Sequence, residues 1–443
     1  MSARAVVSNI ALACAAATAP CGAQQRPRAE RPLGPITHVS RDTLQSVAAA
    51  VEVGGGRVLV NDILARRLLL FDSTLQRDTV ILDSAGKGAS TYGRIPGSLL
   101  SYHGDSALFI APQALSMLVL GPAGAIARVM AMPPLSSGMP VLLGSIFGTP
   151  GFDAQGRLVY FAPARMTMPG PETATGTRRM EPPDSAFIVR FDFATRTLDT
   201  AAAIRIPRSR MEMNRDDQGR FHIAMTAFPP QTVDDWGVTA DGAVAVVRGL
   251  DYHVDWLNPD GTRTATPRMP FVWEHVDDEE KTALIDSTAK AMQVLMDSLP
   301  ARMQRGLSVM GGQVTATGNH GGLGSSGPTI TIRTPRRASG APGSATLTMV
   351  PTVTRAELAD VPDYRPPFGQ GAVWADRSGN LWIRTNTWAN GQPVYDIVDR
   401  KGEVGDRVQL PPHRTIAGFG LGVVYMAVQD SHGVVHLECA RLK

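Results

Sequence analysis

The sequence is poor in cysteine, in long apolar runs and in any excess of charge. Three cysteines occur among its 443 residues, and two of them, Cys14 and Cys21, lie in a leader-like segment at the start. If that segment is removed, Cys439 remains alone, so an internal disulfide is excluded and the hydrophobic core must stabilise the fold. Lysine and arginine total 43 against 40 acidic residues, a formal net charge of +3. That balance does not indicate a nucleic-acid or membrane-surface partner.

Residues 1–23 have the pattern of a secretory signal peptide. Arg4 precedes a largely apolar run at residues 6–17, and small residues close the segment. The run is shorter than the roughly 20 residues that a membrane span needs, and no later stretch is longer. We therefore predict no transmembrane segment and an extracytoplasmic location, periplasmic or secreted. Lipid attachment at Cys14 stays open as an alternative, because residues 11–14 loosely resemble a bacterial lipobox.

Recognisable catalytic motifs are also missing. The sequence contains no G-x-S-x-G, H-E-x-x-H, P-loop or paired-cysteine metal motif. Residues 322–327 match G-x-G-x-x-G in letters, but no predicted strand precedes them and no helix follows, so they do not indicate a dinucleotide site. These observations predict no cofactor and no bound metal, and they favour a protein that is not an enzyme.

Glycine and proline, in contrast, are abundant, with 44 and 33 residues, which indicates a chain full of turns. In the stretch 371–410, β-branched and aromatic runs such as Leu381-Trp382-Ile383 are separated by turn residues, a pattern that predicts four short strands. Trp374 and Trp382 lie in these strands and are expected in the core. One such sheet cannot bury both of its faces, so several copies must stack.

Two kinds of turn alternate along the chain. The first kind precedes an apolar strand and occurs at residues 54–56, 104–105, 153–156, 241–242, 376–379 and 430–433. The second kind follows a strand that ends in a large apolar residue and occurs at residues 70–73, 119–124, 191–194, 256–261 and 398–402. This alternation predicts an all-β fold, a six-bladed β-propeller of four-stranded antiparallel blades over residues 36–443. The alternative is a pair of β-sandwich domains, which lack two turn types in fixed order.

Three phrases of the sequence resemble a known group of proteins. They are GGRVLVNDILARRLLLFDSTLQR, TADGAVAVVRGLDYHVDWLNPDG and GNLWIRTNTWANGQPVYDIVDRKGE. They look like the NHL-type and TolB-like six-bladed propellers of secreted bacterial proteins, and the resemblance covers residues 46–271 and 358–443. It implies the fold and not an activity. The uneven blade spacing and a large insert depart from a regular NHL array, so ligand contacts are not carried over.

The two ends of the chain are expected to meet. Residues 24–35 are polar and proline-rich and predict a flexible lead before structure begins near Ile36. The last unit, residues 415–443, holds only three strand-like runs, so it lacks one strand. We predict that residues 36–40 supply it by pairing beside residues 434–442, which would close the ring and remove two exposed edges.

Strand alternation places the long connections together. In a four-stranded meander the first-to-second and third-to-fourth turns share one face, here called the turn face, and all other connections reach the opposite face, here called the long-loop face. The largest connection, residues 272–354, is a predicted helical and Gly-rich insert before the fifth blade. Residues 276–299 predict a helix, stopped by Pro300, that buries Leu284, Met292 and Leu295. Long loops on one face often carry function, although neutral ornament remains the alternative.

Two arginines mark a candidate site on the long-loop face. Arg248 and Arg384 end equivalent second strands and could hold a carboxylate or phosphate through bidentate hydrogen bonds. The alternative is salt bridging between blades, with Asp234, Asp235 or Asp251 as partners. The predicted ligand-binding set consists of Asp62, Arg66, Arg248, Asp251, Arg384 and Trp388.

Two functional classes remain open. The first is a non-catalytic, monomeric propeller that binds a protein, peptide or small anionic ligand on its long-loop face. The second is a metal-dependent hydrolase or lyase of the lactonase or amidating-lyase type, which the architecture would also allow. Enzymes of that type hold a metal in the central channel, but the predicted innermost strands offer only His103 and Asp376 near their ends. The first class is therefore preferred.

Overall fold

The computed structural model describes residues 29–86, 91–133, 148–162, 177–217, 220–308, 313–317, 329–334 and 345–442. The expected signal peptide and the G-x-G-x-x-G segment lie outside these residues. Among the described residues, no helix is both long enough and apolar enough to cross a bilayer.

The described strands form seven sheets, six of which contain a four-stranded antiparallel unit. Sheet I consists of Val47–Val53, Arg57–Asp62, Arg67–Phe71 and Asp78–Leu82, and sheet II of Ser98–Ser101, Ala107–Ala111, Ser116–Leu120 and Ile126–Ala131. Sheet III consists of Gly151–Phe152, Leu158–Ala162, Ser185–Phe191 and Leu198–Arg205, and sheet IV of Asp235–Val238, Val244–Arg248, His253–Leu257 and Arg263–Ala265. Sheet V consists of Phe368–Ala375, Leu381–Ala389, Gln392–Val398 and Val404–Gln409, with Glu30–Pro32 added at its edge. Sheet VI consists of Arg414–Gly420, Val423–Gln429 and Val435–Arg441, with Ile36–Val39 as its outer strand.

Aspartate and glycine form the tight turns that the sequence predicts. In the first turn of sheet III, the Asp153 carboxylate accepts hydrogen bonds from the N–H groups of Gln155 at 3.1 Å and Arg157 at 2.9 Å. Gly156 completes this turn at φ +75°, a backbone conformation that a residue without Cβ adopts at little cost. The local pairing of an aspartate with a glycine three residues later therefore fixes where this hairpin reverses, and the same pairing recurs at Asp376 with Gly379 and at Asp399 with Gly402.

Buried apolar side chains on both faces pack each sheet against two others. Single core clusters contain Leu68 of sheet I with Phe109 of sheet II, Leu108 of sheet II with Leu158 of sheet III, Ile188 of sheet III with Trp236 of sheet IV, Val247 of sheet IV with Val373 of sheet V, Trp382 of sheet V with Met426 of sheet VI, and Tyr425 of sheet VI with Val58 of sheet I. The core thus lies between sheets, as it does in β-propellers.

The predicted pairing of the chain ends is confirmed. Ile36–Val39 lies antiparallel to Val435–Arg441, with Ile36 opposite Ala440 and Val39 opposite Glu438. Structure begins earlier than the expected start at Ile36, because Glu30–Pro32 pairs in parallel with Val404–Gln409. Ion pairs join this strand to sheet V, with Arg31 Nη2 2.7 Å from Asp406 Oδ2. Residues 30–32, which the sequence predicts to be part of a flexible lead, therefore belong to sheet V.

One predicted turn lies on the other face. The first turn of sheet VI is at residues 421–422, and residues 430–433 join its second strand to its third. Because it joins the second strand to the third, this turn lies on the long-loop face, although it contains the same aspartate and glycine as turns on the turn face. The sequence pattern identifies a tight turn but does not number it within its sheet.

The long connections build a seventh sheet. Sheet VII contains Arg178–Met180, Met211–Arg215, Phe221–Ala227, Gln313–Thr317, Thr329–Thr334 and Ala345–Arg355. Its central pair, Phe221–Ala227 and Ala345–Arg355, is parallel. Connections that precede and follow sheet IV therefore meet here, and the predicted insert is part of a larger added layer.

Helix α1 spans Asp278–Ser308 and packs on sheet VII. The Asp277 carboxylate accepts the N–H of Glu280 at 2.8 Å and caps the start. The predicted stop at Pro300 is wrong, because the helix continues through it. Burial of Leu295 is also wrong: it is 42% exposed, while the next residue, Met296, is 7% exposed. Adjacent residues differ by about 100° around a helix, and the core faces the stripe that contains Met296.

Candidate functional site

Two consecutive aspartates stand where the chain enters the first strand of sheet IV. Asp235 is 1% exposed. Its Oδ2 accepts the N–H groups of Ala372 at 2.6 Å and Val373 at 2.9 Å, in the first strand of sheet V. The register of that strand shifts between Phe368 and Val373, so these N–H groups need an acceptor other than the regular ladder. The carboxylate supplies it and ties sheet IV to sheet V.

The pKa of the Asp235 carboxyl is raised. Burial raises its pKa from 3.8 to about 7, although the N–H groups of Val373, Trp236 and Ala372 and the charge of Arg384 act in the opposite direction. Desolvation penalises the charged form more than these favourable contacts offset. This group therefore titrates close to neutral pH at the junction of two sheets.

Asp234 is bound by the first candidate arginine. Arg248 Nη1 lies 2.8 Å from Asp234 Oδ2, and Arg248 Nε lies 2.7 Å from Asp255 Oδ2. A chain of contacts continues outward, since His253 Nε2 is 3.2 Å from Asp255 Oδ1 and His253 Nδ1 is 2.6 Å from Asp251 Oδ1. The structure thus connects the predicted residues Arg248 and Asp251. Arg248 also binds Asp234, one of the partners expected in the salt-bridge alternative, but this ion pair lies within sheet IV and not between blades.

Arg384 has different surroundings. Its guanidinium carbon lies 5.8 Å from the centre of the Trp374 ring, a cation–π distance. Among the described residues it makes no ion pair or side-chain hydrogen bond, and its charge acts on the buried Asp235. Arg248 therefore binds carboxylates at contact distance within sheet IV, whereas Arg384 of sheet V acts on Asp235 only through its charge.

The inner strands are held together beside this pair. Thr149 bridges to Gly237 in parallel, and its Oγ1 donates to the Val373 carbonyl at 2.9 Å. A Cβ at Gly148 would lie 2.2 Å from Trp236 Nε1, so the chain before sheet III passes close to sheet IV. These contacts hold in place the strand that contains Asp235.

The remaining predicted site residues lie elsewhere. Asp62 is fully buried, and its carboxylate accepts the N–H of Ser46 at 2.9 Å and Nε of Arg67 at 3.0 Å. Arg66 is half-buried in the following turn, at φ +52°. Both belong to sheet I, which shares core clusters with sheets II and VI and not with sheets IV and V. Trp388 is 67% exposed on the outer end of a sheet V hairpin.

A buried network that sequence reasoning missed also joins sheets IV and V. The Tyr252 hydroxyl donates to Asp396 Oδ2 at 2.7 Å, and Arg407 Nε donates to Asp396 Oδ1 at 3.0 Å. Arg407 Nη1 continues to Glu30 Oε1 at 2.9 Å. Burial raises the pKa values of both Asp396 and Tyr252. The only sequence signal was an aspartate between the apolar residues Tyr395 and Ile397, which marks an inward-facing polar group.

The described side chains in this part of the molecule do not form a metal-binding group. Among the described residues, no three His, Cys, Asp or Glu side chains are grouped so that they could hold a metal ion. Asp376, one of the two channel candidates, instead accepts the N–H groups of Ser378 and Asn380 and lies 3.2 Å from Trp382 Nε1. Its carboxylate therefore has a structural role in the turn.

The fold and this site define an all-β protein of the β-propeller class. Six of its described sheets contain a four-stranded antiparallel unit, and these units pack face to face through apolar clusters. No model of a known protein family matches the chain, and no curated protein sequence matches it.

Solved structures do match over most of the chain. Gluconolactonase from Xanthomonas campestris is 13% identical, with 93% of this chain and 99% of that chain covered and a TM-score of 0.33. Regucalcin, a calcium-binding protein from Agrobacterium tumefaciens, is 12% identical, with 93% and 97% covered and a TM-score of 0.32. Virginiamycin B lyase from Staphylococcus aureus is 9% identical, with 90% and 98% covered and a TM-score of 0.34. Likenesses this distant carry no argument about activity, and the class rests on the sheets themselves.

Proposed function

We propose that this protein is a non-catalytic propeller that acts outside the cytoplasm and binds an anionic group on its long-loop face. The group is a carboxylate or phosphate, either on a small molecule or on a peptide or protein. We further propose that sheets I–VI are six blades of one closed ring, which the run of core clusters from sheet I to sheet VI and back to sheet I supports. The NHL-type and TolB-like assignment stays part of the proposal and rests on the sequence phrases alone.

One observation carries the site. Arg384 is half-buried over the Trp374 ring and has no carboxylate at ion-pair distance among the described residues. A guanidinium in such surroundings retains donors for a planar anion, and stacking holds it in one orientation. Arg248 supports the site indirectly, since it neutralises Asp234. The predicted binding residues Asp62, Arg66 and Trp388 are peripheral in this proposal.

Calorimetric titration with acetate, succinate, citrate and inorganic phosphate tests the proposal. At least one probe should bind. Arg384→Ala should weaken the binding of that probe at least roughly tenfold, because the substitution removes one charged hydrogen-bonding partner. Arg384→Lys should recover only part of the affinity, because lysine lacks the fork of donors.

Arg248→Ala is the matched control. Its expected effect is a lower melting temperature, because the partly buried Asp234 loses its partner, with a smaller effect on affinity. The binding proposal is wrong if none of the four probes binds, or if Arg384→Ala leaves their affinities unchanged. A stoichiometric metal in the purified protein, measured by elemental analysis, would instead favour the hydrolase or lyase alternative.

A further inference from the structure

A cavity lies on the face of the molecule opposite the long-loop face. It has a volume of about 250 Å³ and lies between the turns of sheets III and IV. Asp153, Gln155 and Arg157 line one side, and Asn258 and Asp260 line the other. Its inner end is formed by Val244 and Leu257, which are 2% and 8% exposed. Since these are first-to-second and third-to-fourth turns, the cavity opens on the turn face, away from Arg384.

The walls of this cavity are fixed in advance. Gln155 Nε2 donates to the Pro259 carbonyl at 2.8 Å, a direct bond from sheet III to sheet IV. The turn of sheet IV approaches that of sheet III so closely that a Cβ at Gly242 would lie 2.2 Å from the Ala154 nitrogen. Gly242 also has φ +85°, so both its conformation and its contact require glycine. A cavity with preset walls costs less ordering when a ligand binds.

The positive charges of the arginines that line this cavity are neutralised by neighbouring carboxylates. Arg157 Nε lies 2.7 Å from Asp153 Oδ2. Arg190 makes two bonds to Asp199, at 2.9 Å and 2.7 Å. Both arginines are thus paired, and the carboxylate that remains, Asp260, is exposed at the rim, where solvent screens its charge. The interior therefore offers fixed donors and acceptors without selecting an anion or a cation.

We infer that this cavity binds a small neutral polyhydroxy compound of monosaccharide size. A volume of about 250 Å³ equals roughly eight water molecules at about 30 Å³ each, which is less than a drug-sized ligand needs. Carboxylate, amide and guanidinium groups each present two polar atoms in one plane, which suits adjacent hydroxyls. The apolar inner end suits the C–H face of a sugar ring. This inference does not rest on the proposed anion site.

Ligand-observed NMR titration of the full chain tests the inference. The probes are D-glucose, D-galactose, D-mannose and N-acetyl-D-glucosamine, with gluconate and D-glucosamine as charged counterparts. At least one neutral sugar should bind with a Kd on the order of 1 mM. Asp260→Ala and Gln155→Ala should each weaken it by at least threefold.

Asp72→Ala is the matched control, because Asp72 holds the corresponding third-to-fourth turn of sheet I through the same kind of hydrogen bonds to Thr74 and Gln76. It should leave sugar affinity unchanged, as should Arg384→Ala. The inference is overturned if no neutral sugar binds with a Kd lower than about 50 times the expected value. Tighter binding of gluconate or D-glucosamine than of D-glucose, or equal affinity in the Asp260→Ala variant, would also overturn it.

Discussion

At the scale of single residues, Asp235 is the group whose surroundings differ most from those of its free side chain. Its pKa is raised from 3.8 to about 7 by burial. A carboxyl with a raised pKa binds its proton more tightly in the folded state, so its contribution to stability is complete below about pH 4. That contribution is lost as the pH rises through about 7. The junction of sheets IV and V should therefore weaken toward alkaline pH.

Asp235→Asn should remove this dependence. The amide oxygen can still accept the N–H groups of Ala372 and Val373, and it carries no charge to desolvate. Between pH 4 and pH 8, we expect the unfolding free energy of the wild type to fall by roughly 4 kcal/mol relative to that of this variant. The figure follows from about 1.4 kcal/mol for each pH unit between the ordinary pKa of 3.8 and the raised pKa of about 7. Urea unfolding at several pH values measures the difference.

Asp430→Asn serves as the control for that experiment. A hydrogen bond from the Val434 N–H lowers the pKa of this exposed turn aspartate, so its contribution has the opposite sign and is lost as the pH falls. A constant difference between wild type and Asp235→Asn across the pH range would show that Asp235 does not titrate in this window.

At the scale of elements, helix α1 offers a sharp comparison between neighbouring positions. Met296 is 7% exposed and packs with Ala227 and Val353 of sheet VII, whereas Leu295 is 42% exposed. Met296→Asp should release the helix, because burying an apolar side chain of this size contributes roughly 1.5 to 3 kcal/mol and a buried carboxylate adds a further cost. Leu295→Asp should leave the helix docked.

Limited proteolysis distinguishes these two variants. Cleavage within residues 272–354 should accelerate in Met296→Asp and stay at the wild-type rate in Leu295→Asp, with the remaining sheets intact in both. Equal cleavage rates in the two variants would contradict the observed face of the helix.

The elements that could be predicted are those encoded by local chemistry. Asp153 with Gly156 forms its turn from neighbouring backbone groups alone, so the hairpin follows directly from the sequence. Sheet VII could not be predicted in this way, because Phe221–Ala227 pairs with Ala345–Arg355 across more than a hundred residues. The buried side of helix α1 was predicted wrongly for a related reason. Apolar residues occur on more than one side of it, and only the position of sheet VII selects the buried side.

At the scale of the whole molecule, the candidate site depends on the order in which sheets pack. The sequence predicted that Arg248 and Arg384 end equivalent strands. Arg248 does end its strand, but the strand that contains Arg384 continues to Ala389. The sequence also offered Asp234 as a partner for Arg248, and the structure contains that ion pair, within sheet IV. It could not identify the role of Asp235, whose carboxylate meets backbone N–H groups of sheet V. That contact exists only because sheets IV and V are neighbours. Side chains bonded to a distant backbone leave little trace in local sequence.

Closure between the chain ends should stabilise the whole molecule. Ile36–Val39 supplies the outer strand of sheet VI. The chain just after it adds further bonds, since the Ser40 N–H donates to the Leu437 carbonyl at 2.7 Å. Deleting residues 24–40 removes this strand and exposes the unpaired edge of Val435–Arg441. We expect a melting temperature lower by at least about 5 °C, from the loss of several hydrogen bonds and buried contacts.

Two shorter deletions separate the contributions to that closure. Removing residues 24–28 is the control, because it leaves every described strand in place. Removing residues 24–35 deletes only the strand beside sheet V, including the ion pair of Arg31 with Asp406 and the Glu30 contact of Arg407. Since Arg407 remains bonded to Asp396, this intermediate deletion should lower the melting temperature by less than the full one. If calorimetry gave all three deletions the wild-type melting temperature, the N-terminal strand would not stabilise the molecule, and pairing between the chain ends would be dispensable for the fold.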